Sequence, residues 1–179
     1  MQEQGLEAVQ NPMRRIRVGK VVANMAVGKS GDPLERAKRV LEGLVGQRPC
    51  PREAKRTVKD FGIRKGEPIA CMATLRGERA TEFLRRALAA VGNRIKASSF
   101  DERGNFAFGI REHIEIPGTK YDPELGIFGL DVIVALERPG FRVKRRAYKR
   151  SAVGGSHEIT KEEAIAFARG ELGVEVIEG

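Results

Sequence analysis

The sequence predicts an α+β fold: a mostly antiparallel sheet with helices packed on one face, in a single compact domain with basic loops. Three observations carry this. Apolar residues recur at helical spacing in three segments, other short segments have strand character, and the two kinds interleave as strand, helix, strands, helix, strands, helix. The length, 179 residues, suits one domain spanning 1–179, with a flexible N-terminus at 1–12 and a basic stretch plus C-terminal helix at 139–179 as an appendage.

The first strand is expected over 15–24, where Arg15 and Arg17 would share one face and Ile16 and Val18 the other. Gly19 inside it suggests a bulge or a close approach by another backbone. A helix follows. Asp32 is its expected cap, Pro33 fits the first turn, Glu35 completes a D-x-x-E box, and Leu34, Ala37, Leu41, Leu44 and Val45 form one stripe before Gly46. The run from Pro68 to Leu75 reads as a strand. Beyond Gly77, Ala80, Phe83, Leu84, Ala87, Leu88 and Val91 make the stripe of a second helix that Gly92 ends. Between Asn93 and Gly126, turn residues alternate with short apolar runs, as in loops and short strands. Val132 to Leu136 reads as a buried strand. Thr160 and Glu163 form a capping box ahead of Ala164, Ile165, Phe167 and Ala168, the third helix.

Charge narrows the function. The net charge of +9 is segregated: residues 13–65 hold fifteen basic and five acidic side chains, and 139–150 hold six basic and none acidic. Residues 66–138 are nearly balanced, with ten basic against eleven acidic. Two separated basic blocks are the footprint expected of a polyanion partner.

Catalysis is poorly supported. Gly28-Lys29-Ser30 sits where a phosphate-binding loop would, between strand and helix, but the full pattern needs glycine at the position of Ala23, and the loop is short for a triphosphate. Asp101 and Glu102 are adjacent in a turn-like stretch, and His113 has no nucleophile in a recognisable motif. Cys50 and Cys71 form no CxxC unit and both histidines are isolated, so neither a metal nor a cofactor is expected. No apolar run is long enough to cross a bilayer, and Met1 to Gly5 lacks a signal-peptide pattern, so no membrane partner is expected and the protein is expected to stay where it is made.

The first basic block also carries ordered motifs. Asn11-Pro12-Met13-Arg14-Arg15-Ile16-Arg17-Val18 leads into Asn24-Met25-Ala26-Val27-Gly28; Gly46-Gln47-Arg48-Pro49, Arg52 to Thr57, Val58 to Ile69 and Thr74-Leu75-Arg76-Gly77 follow. Ser99 to Phe106, Gly109 to Glu112, Tyr121-Asp122-Pro123 and Gly129 to Val132 continue the series. From about Asn11 into the tail, the chain resembles the universal 5S-rRNA-binding protein family of the large ribosomal subunit, the fifth in that series. The stretch Arg138-Pro139-Gly140-Phe141-Arg142 and the tail resemble its archaeal and eukaryotic branch. Ala26 and Ala70 stand where that family usually has glycine, which leaves the local bulge geometry open.

The resemblance implies a single ribosomal RNA-binding domain, a structural constituent bound to the ribosome in the cytoplasm rather than an enzyme. It implies docking on 5S rRNA in the central protuberance, with contacts to large-subunit rRNA, to P-site tRNA and to neighbouring ribosomal proteins, including a small-subunit protein across a bridge formed by Gly104 to Asp131. Carried over motif by motif, Asn24, Gln47 and Thr74 are expected to bond rRNA through neutral polar groups that fix register. Asn11, Met13, Arg14, Arg15, Arg17, Lys20, Lys55 and Arg56 belong to the same rRNA contact, the cations meeting phosphate. Arg142, Lys144, Arg145 and Arg146 are a second phosphate contact, read as extended until it binds. In the tRNA-facing loop, Lys59, Arg64 and Lys65 would meet phosphate, and Phe61 would either stack on RNA or pin the loop base. Two other readings fit parts of the sequence: a free-standing RNA-binding or RNA-chaperone module outside the ribosome, which the charge map alone would allow, and a nucleotide hydrolase built on Lys29.

Overall fold

In the computed structural model, which describes residues 11–177, burial alternates along the strands and so decides the sheet. The expectation for the N-terminus at 1–12 lies outside the described residues except at Asn11 and Pro12. Asn11 caps a short 3-10 turn, Pro12–Arg14, its Oδ1 accepting from the Met13 amide at 2.9 Å. Then come β1 (Arg17–Ala26), α1 (Asp32–Val45), β2 (Cys50–Glu53), β3 (Pro68–Leu75) and α2 (Glu78–Ala90). They are followed by β4 (Arg94–Lys96), β5 (Phe106–Ile110), β6 (Leu130–Glu137), α3 (Lys161–Glu171) and β7 (Glu175–Ile177). Five strands pair antiparallel in the order β2-β3-β1-β6-β5, while β4 and β7 form a separate parallel pair.

Val21, Ala23 and Met25 of β1, Cys71, Ala73 and Leu75 of β3, and Leu130, Val132, Val134 and Leu136 of β6 all point into one core. Against them pack the stripes of α1 (Leu34, Ala37, Leu41, Leu44) and α2 (Ala80, Phe83, Leu84, Ala87, Leu88), so the helices cover one face. The opposite face of the sheet is left uncovered by helix. Phe141, Ile159, Ala164, Ala168, Val174 and Val176 join the same core, which ties the C-terminal segment to the sheet.

Four local expectations are corrected. The cap of α1 is Gly31, at φ 86° and with no side-chain bond, rather than Asp32; Glu35 pairs with Lys38 at 2.6 Å instead of closing a box. β1 begins and ends two residues later than expected, because the Pro12 turn holds the chain up to Arg14 and Ala26 still pairs with Ala70. β6 is buried on one side only, since Ile133 is 37% exposed on the other. The basic stretch is not extended: Phe141–Lys144 is a 3-10 turn anchored by the buried Phe141 ring. Where the sequence left the geometry of Ala26 and Ala70 open, the two face each other in a regular ladder, and the bulge lies at Gly19, between Val18 and Lys20.

Burial separates the two cysteines. The Cys71 thiol is fully enclosed, and burial pushes its pKa up to about 11, whereas Cys50 is exposed on the edge strand. Because the thiolate is the nucleophile, a maleimide at neutral pH is expected to add once to the folded protein, at Cys50. A second adduct, seen as intact mass, is expected only in denaturant; rapid double labelling of the native chain would contradict this packing.

Candidate nucleic-acid interface

The uncovered face of the sheet is built by the residues that alternate away from the core. On β1 these are Arg17, Lys20, Val22 and Asn24; on β3, Met72 and Thr74; on β2, Cys50 and Arg52. Val22 stands opposite Thr74, and Asn24 lies between Met72 of β3 and Asp131 of β6. Among the described residues Asn24 makes no side-chain hydrogen bond, so its donor and acceptor are both available. Gln47, just past α1, reaches the same place, its Nε2 donating to the Thr74 carbonyl at 3.4 Å. Asn24, Gln47 and Thr74, far apart in sequence, are thereby one polar patch. Arg52, with Nη2 at 3.9 Å from the Met72 sulfur, sits beside it. Its place on this face has no signal in the sequence, because a four-residue edge strand containing Pro51 gives no alternating pattern.

Basic residues gather at both ends of this face. At the Arg17 end the two basic blocks meet. Arg145 grips the Glu137 carboxylate through both terminal nitrogens, at 2.7 and 2.9 Å. Glu137 lies over Gly19, where a Cβ would stand 2.5 Å from its Cγ and Cδ; the approach at Gly19 is by a side chain, not by another backbone as expected. The Met13 methyl would be 3.3 Å from a Cβ on Gly140, and the Arg14 carbonyl accepts from Arg138 Nε at 3.1 Å. Arg14 and Arg15 are exposed beside this junction. Within the second block Arg142 is exposed, Lys144 lies over the Phe141 ring at 4.5 Å, and Arg146 Nε donates to the Lys149 carbonyl at 2.8 Å. Arg145 and Arg146 thus already have protein partners.

At the other end, roughly 30 Å away along a ten-residue strand, the loop between β2 and β3 projects. It is a folded hairpin. Ala54 and Glu67 close its base (2.8 Å), Val58 and Ile63 exchange backbone bonds (2.9 and 3.1 Å), and the Lys65 amide donates to Thr57 Oγ1 (3.0 Å). Lys55, Arg56, Lys59, Arg64 and Lys65 are all exposed on it, and Phe61 stands 75% exposed at the tip, next to Gly62 at φ 66°. Phe61 does not pin the loop base; backbone hydrogen bonds do that instead.

The Gly28-Lys29-Ser30 turn is committed to this loop. The Val27 and Gly28 amides donate to the Ile69 carbonyl at 3.1 and 2.9 Å, and the Ser30 hydroxyl donates to Glu67 Oε1. The Ser30 bond and the Arg64 amide hold the Glu67 carboxyl below its usual range. Groups that a nucleotide phosphate would need are occupied in holding the hairpin to the sheet, which argues against the hydrolase reading.

Among the described residues no cluster of His, Cys, Asp or Glu could hold a metal ion, and no helix is long and apolar enough to cross a membrane. The arrangement can do one thing well: it offers a broad, partly apolar face with neutral hydrogen-bonding groups at its centre and cations at both ends.

Comparison with known proteins agrees in kind. Residues 11–64 match the family model described as Ribosomal protein L5, and residues 68–167 match the model of that ribosomal family's C-terminus. The chain is 53% identical over 170 residues to the "Large ribosomal subunit protein uL5" of Sulfurisphaera tokodaii, covering 94% of this chain and 96% of that one. It is 55% identical over 166 residues to the protein of the same name from Pyrobaculum aerophilum, covering 93% of each. A third, from Aeropyrum pernix, is 54% identical over 165 residues, covering 92% of this chain and 86% of its relative.

Proposed function

The chain belongs to the ribosomal protein L5 family, a structural and non-enzymatic family of the large ribosomal subunit, and we propose that its open sheet face binds 5S rRNA in the central protuberance. The observation that carries this reading is the patch of Asn24, Gln47 and Thr74, open between two basic ends. Cations at the ends supply affinity without choosing a site, whereas neutral polar groups at the centre can bond ribose hydroxyls, phosphates or base edges and so fix register. The cluster of Asn11, Met13, Arg14, Arg15, Arg17 and Lys20 with Arg142 and Lys144 is assigned to 5S and adjoining large-subunit rRNA. Arg145 and Arg146 enter that contact as groups shared between protein and phosphate.

The loop from Arg56 to Gly66 is assigned to the P-site tRNA, with Lys55 and Arg56 at its base kept as rRNA contacts. Its exposed Phe61 is an aromatic surface for stacking, and Lys59, Arg64 and Lys65 are cations for the tRNA backbone. The segment 104–131 is assigned to neighbouring ribosomal proteins, with a small-subunit protein across a bridge.

A salt titration of filter binding to purified 5S rRNA tests the division of labour. Arg15→Ala and Lys55→Ala are each expected to reduce the log–log salt slope by roughly 0.7 to 0.9. Asn24→Ala should weaken binding by about 1 kcal/mol at nearly constant slope. Identical behaviour of all three would overturn the assignment. Sedimentation separates the ribosomal role from a free-standing RNA-binding or chaperone module: protein that never travels with large subunits in lysate would favour the latter.

A further inference from the structure

On the helix side of the molecule, away from the open sheet face, a cleft of about 230 Å³ lies between α1, α2 and the segment after β5. We infer that this cleft is a phosphate-binding site, and that it takes a backbone phosphate of RNA. The inference rests on the RNA-binding reading for the source of the phosphate, not for the site itself.

Apolar side chains make up much of its wall, and its polar lining is mostly donors. Arg39, Arg86 and Lys120 bring three positive charges, against one carboxylate, Asp122, whose Oδ1 already accepts from the Glu124 amide at 3.0 Å. Arg86 spends one donor, Nη2, on the Leu44 carbonyl at the end of α1 (2.9 Å). Its Nε is shielded from solvent and has no partner among the described residues, and the same holds for the Thr119 hydroxyl. Native folds rarely leave such groups unpaired without a ligand or water to meet them, and both belong to residues that line this cleft. The turn that carries Thr119 passes beside Arg86: Gly118, at φ 84°, takes the left-handed conformation there, and a Cβ on it would be in ordinary contact with Arg86 Nη1 at 4.0 Å.

His113 adds a donor of fixed orientation. It is 3% exposed and lines the cleft. The Phe128 amide donates to its Nδ1 at 3.2 Å, which places the ring proton on Nε2, and that N–H has no protein partner among the described residues. A guanidinium fork, an ammonium, an imidazole N–H and a hydroxyl around one small volume call for an acceptor with several oxygens and negative charge. A cation is repelled, and a planar carboxylate offers only two oxygens. A tetrahedral phosphate fits both the donor set and the volume, with room for a few waters at about 30 Å³ each. Bound at this cleft as well as on the sheet, RNA would hold the protein from two sides.

The test is NMR of the two imidazoles in the full chain, titrated with inorganic phosphate and then with 5S rRNA. His157, whose Nε2 lies 2.8 Å from the Pro139 carbonyl, is the internal control. The expected result is a saturable shift of the His113 nitrogens alone, lost in Arg86→Gln and weakened several-fold in Lys120→Gln, with 5S rRNA producing the same shift. Lys120 is exposed, so that variant keeps its fold even if Arg86→Gln does not. Three results overturn the inference: no saturable change at His113; parallel movement of both histidines, which is bulk salt; or a shift with an acidic peptide but none with phosphate or RNA. Asn24→Ala separates the two surfaces, since it should weaken RNA binding on the sheet and leave the phosphate-induced shift of His113 intact.

Discussion

Arg138→Ala should lower the unfolding free energy by about 3 kcal/mol, read as a fall in the urea midpoint at unchanged slope. Arg138 is only 5% exposed, yet it donates to four acceptors from three parts of the chain. Its Nε reaches the Arg14 carbonyl (3.1 Å), its Nη1 the His157 and Glu158 carbonyls (3.4 and 2.9 Å), and its Nη2 the Glu163 carboxylate (2.7 Å). Truncation strands the backbone carbonyls that surround the buried guanidinium, while the Glu163 carboxylate, 43% exposed, falls back on water; stranded acceptors cost more than the lost bonds were worth. Loss should also appear in the pH profile. Burial pushes the Glu163 carboxyl up, but the Thr160 amide and then Arg138 outweigh it and hold its pKa below the usual 4.5. A lowered folded pKa contributes stability that is present above 4.5 and is lost as pH falls through the folded value. In Arg138→Ala the acid limb should therefore be shallower than in the parent. An unchanged midpoint and an unchanged acid limb would show that the buried guanidinium is not what joins the N-terminal turn to α3.

Asn24→Asp should weaken 5S rRNA binding roughly 100-fold, about 3 kcal/mol, with thermal stability nearly unchanged. The substitution keeps the size of the side chain and removes its donor. It also places a carboxylate directly across the ladder from Asp131, at the centre of a face that is to meet phosphate. Asn24 lies on the side of β1 away from the core, so the core is untouched, and circular dichroism can check that the fold survives. Filter binding at fixed salt measures the effect. Wild-type affinity in Asn24→Asp would remove the central patch from the interface and leave only the basic ends.

Much of this architecture was legible in order of residues alone. β3 runs over Pro68–Leu75 as its apolar composition and flanks require, and the stripes of α1 and α2 are buried as their spacing implies. The Thr160–Glu163 capping box forms with both of its bonds, because a cap is a local device whose partners are three residues apart. Two strands escaped notice for the opposite reason. β2 is four residues with Pro51 inside it, and β7 is three residues whose partner, β4, lies some eighty positions earlier: Arg94 pairs with Glu175. Neither is long enough to display a period.

What the sequence by itself determined was the kind of partner and the candidates to meet it: two basic blocks and, through the family resemblance, Asn24, Gln47 and Thr74 within ordered motifs. Charge and side-chain chemistry are properties of single residues, so they are visible before folding. Tertiary structure alone decided which of those residues are neighbours and which charges are spent. It joined the two blocks through Arg145, Glu137 and Gly19, buried Arg138 among carbonyls, raised Phe61 to a loop tip and set Gln47 against Thr74. Those outcomes depend on strand register and on which polar groups burial forces into partnership, and both arise only when distant segments pack against the same core.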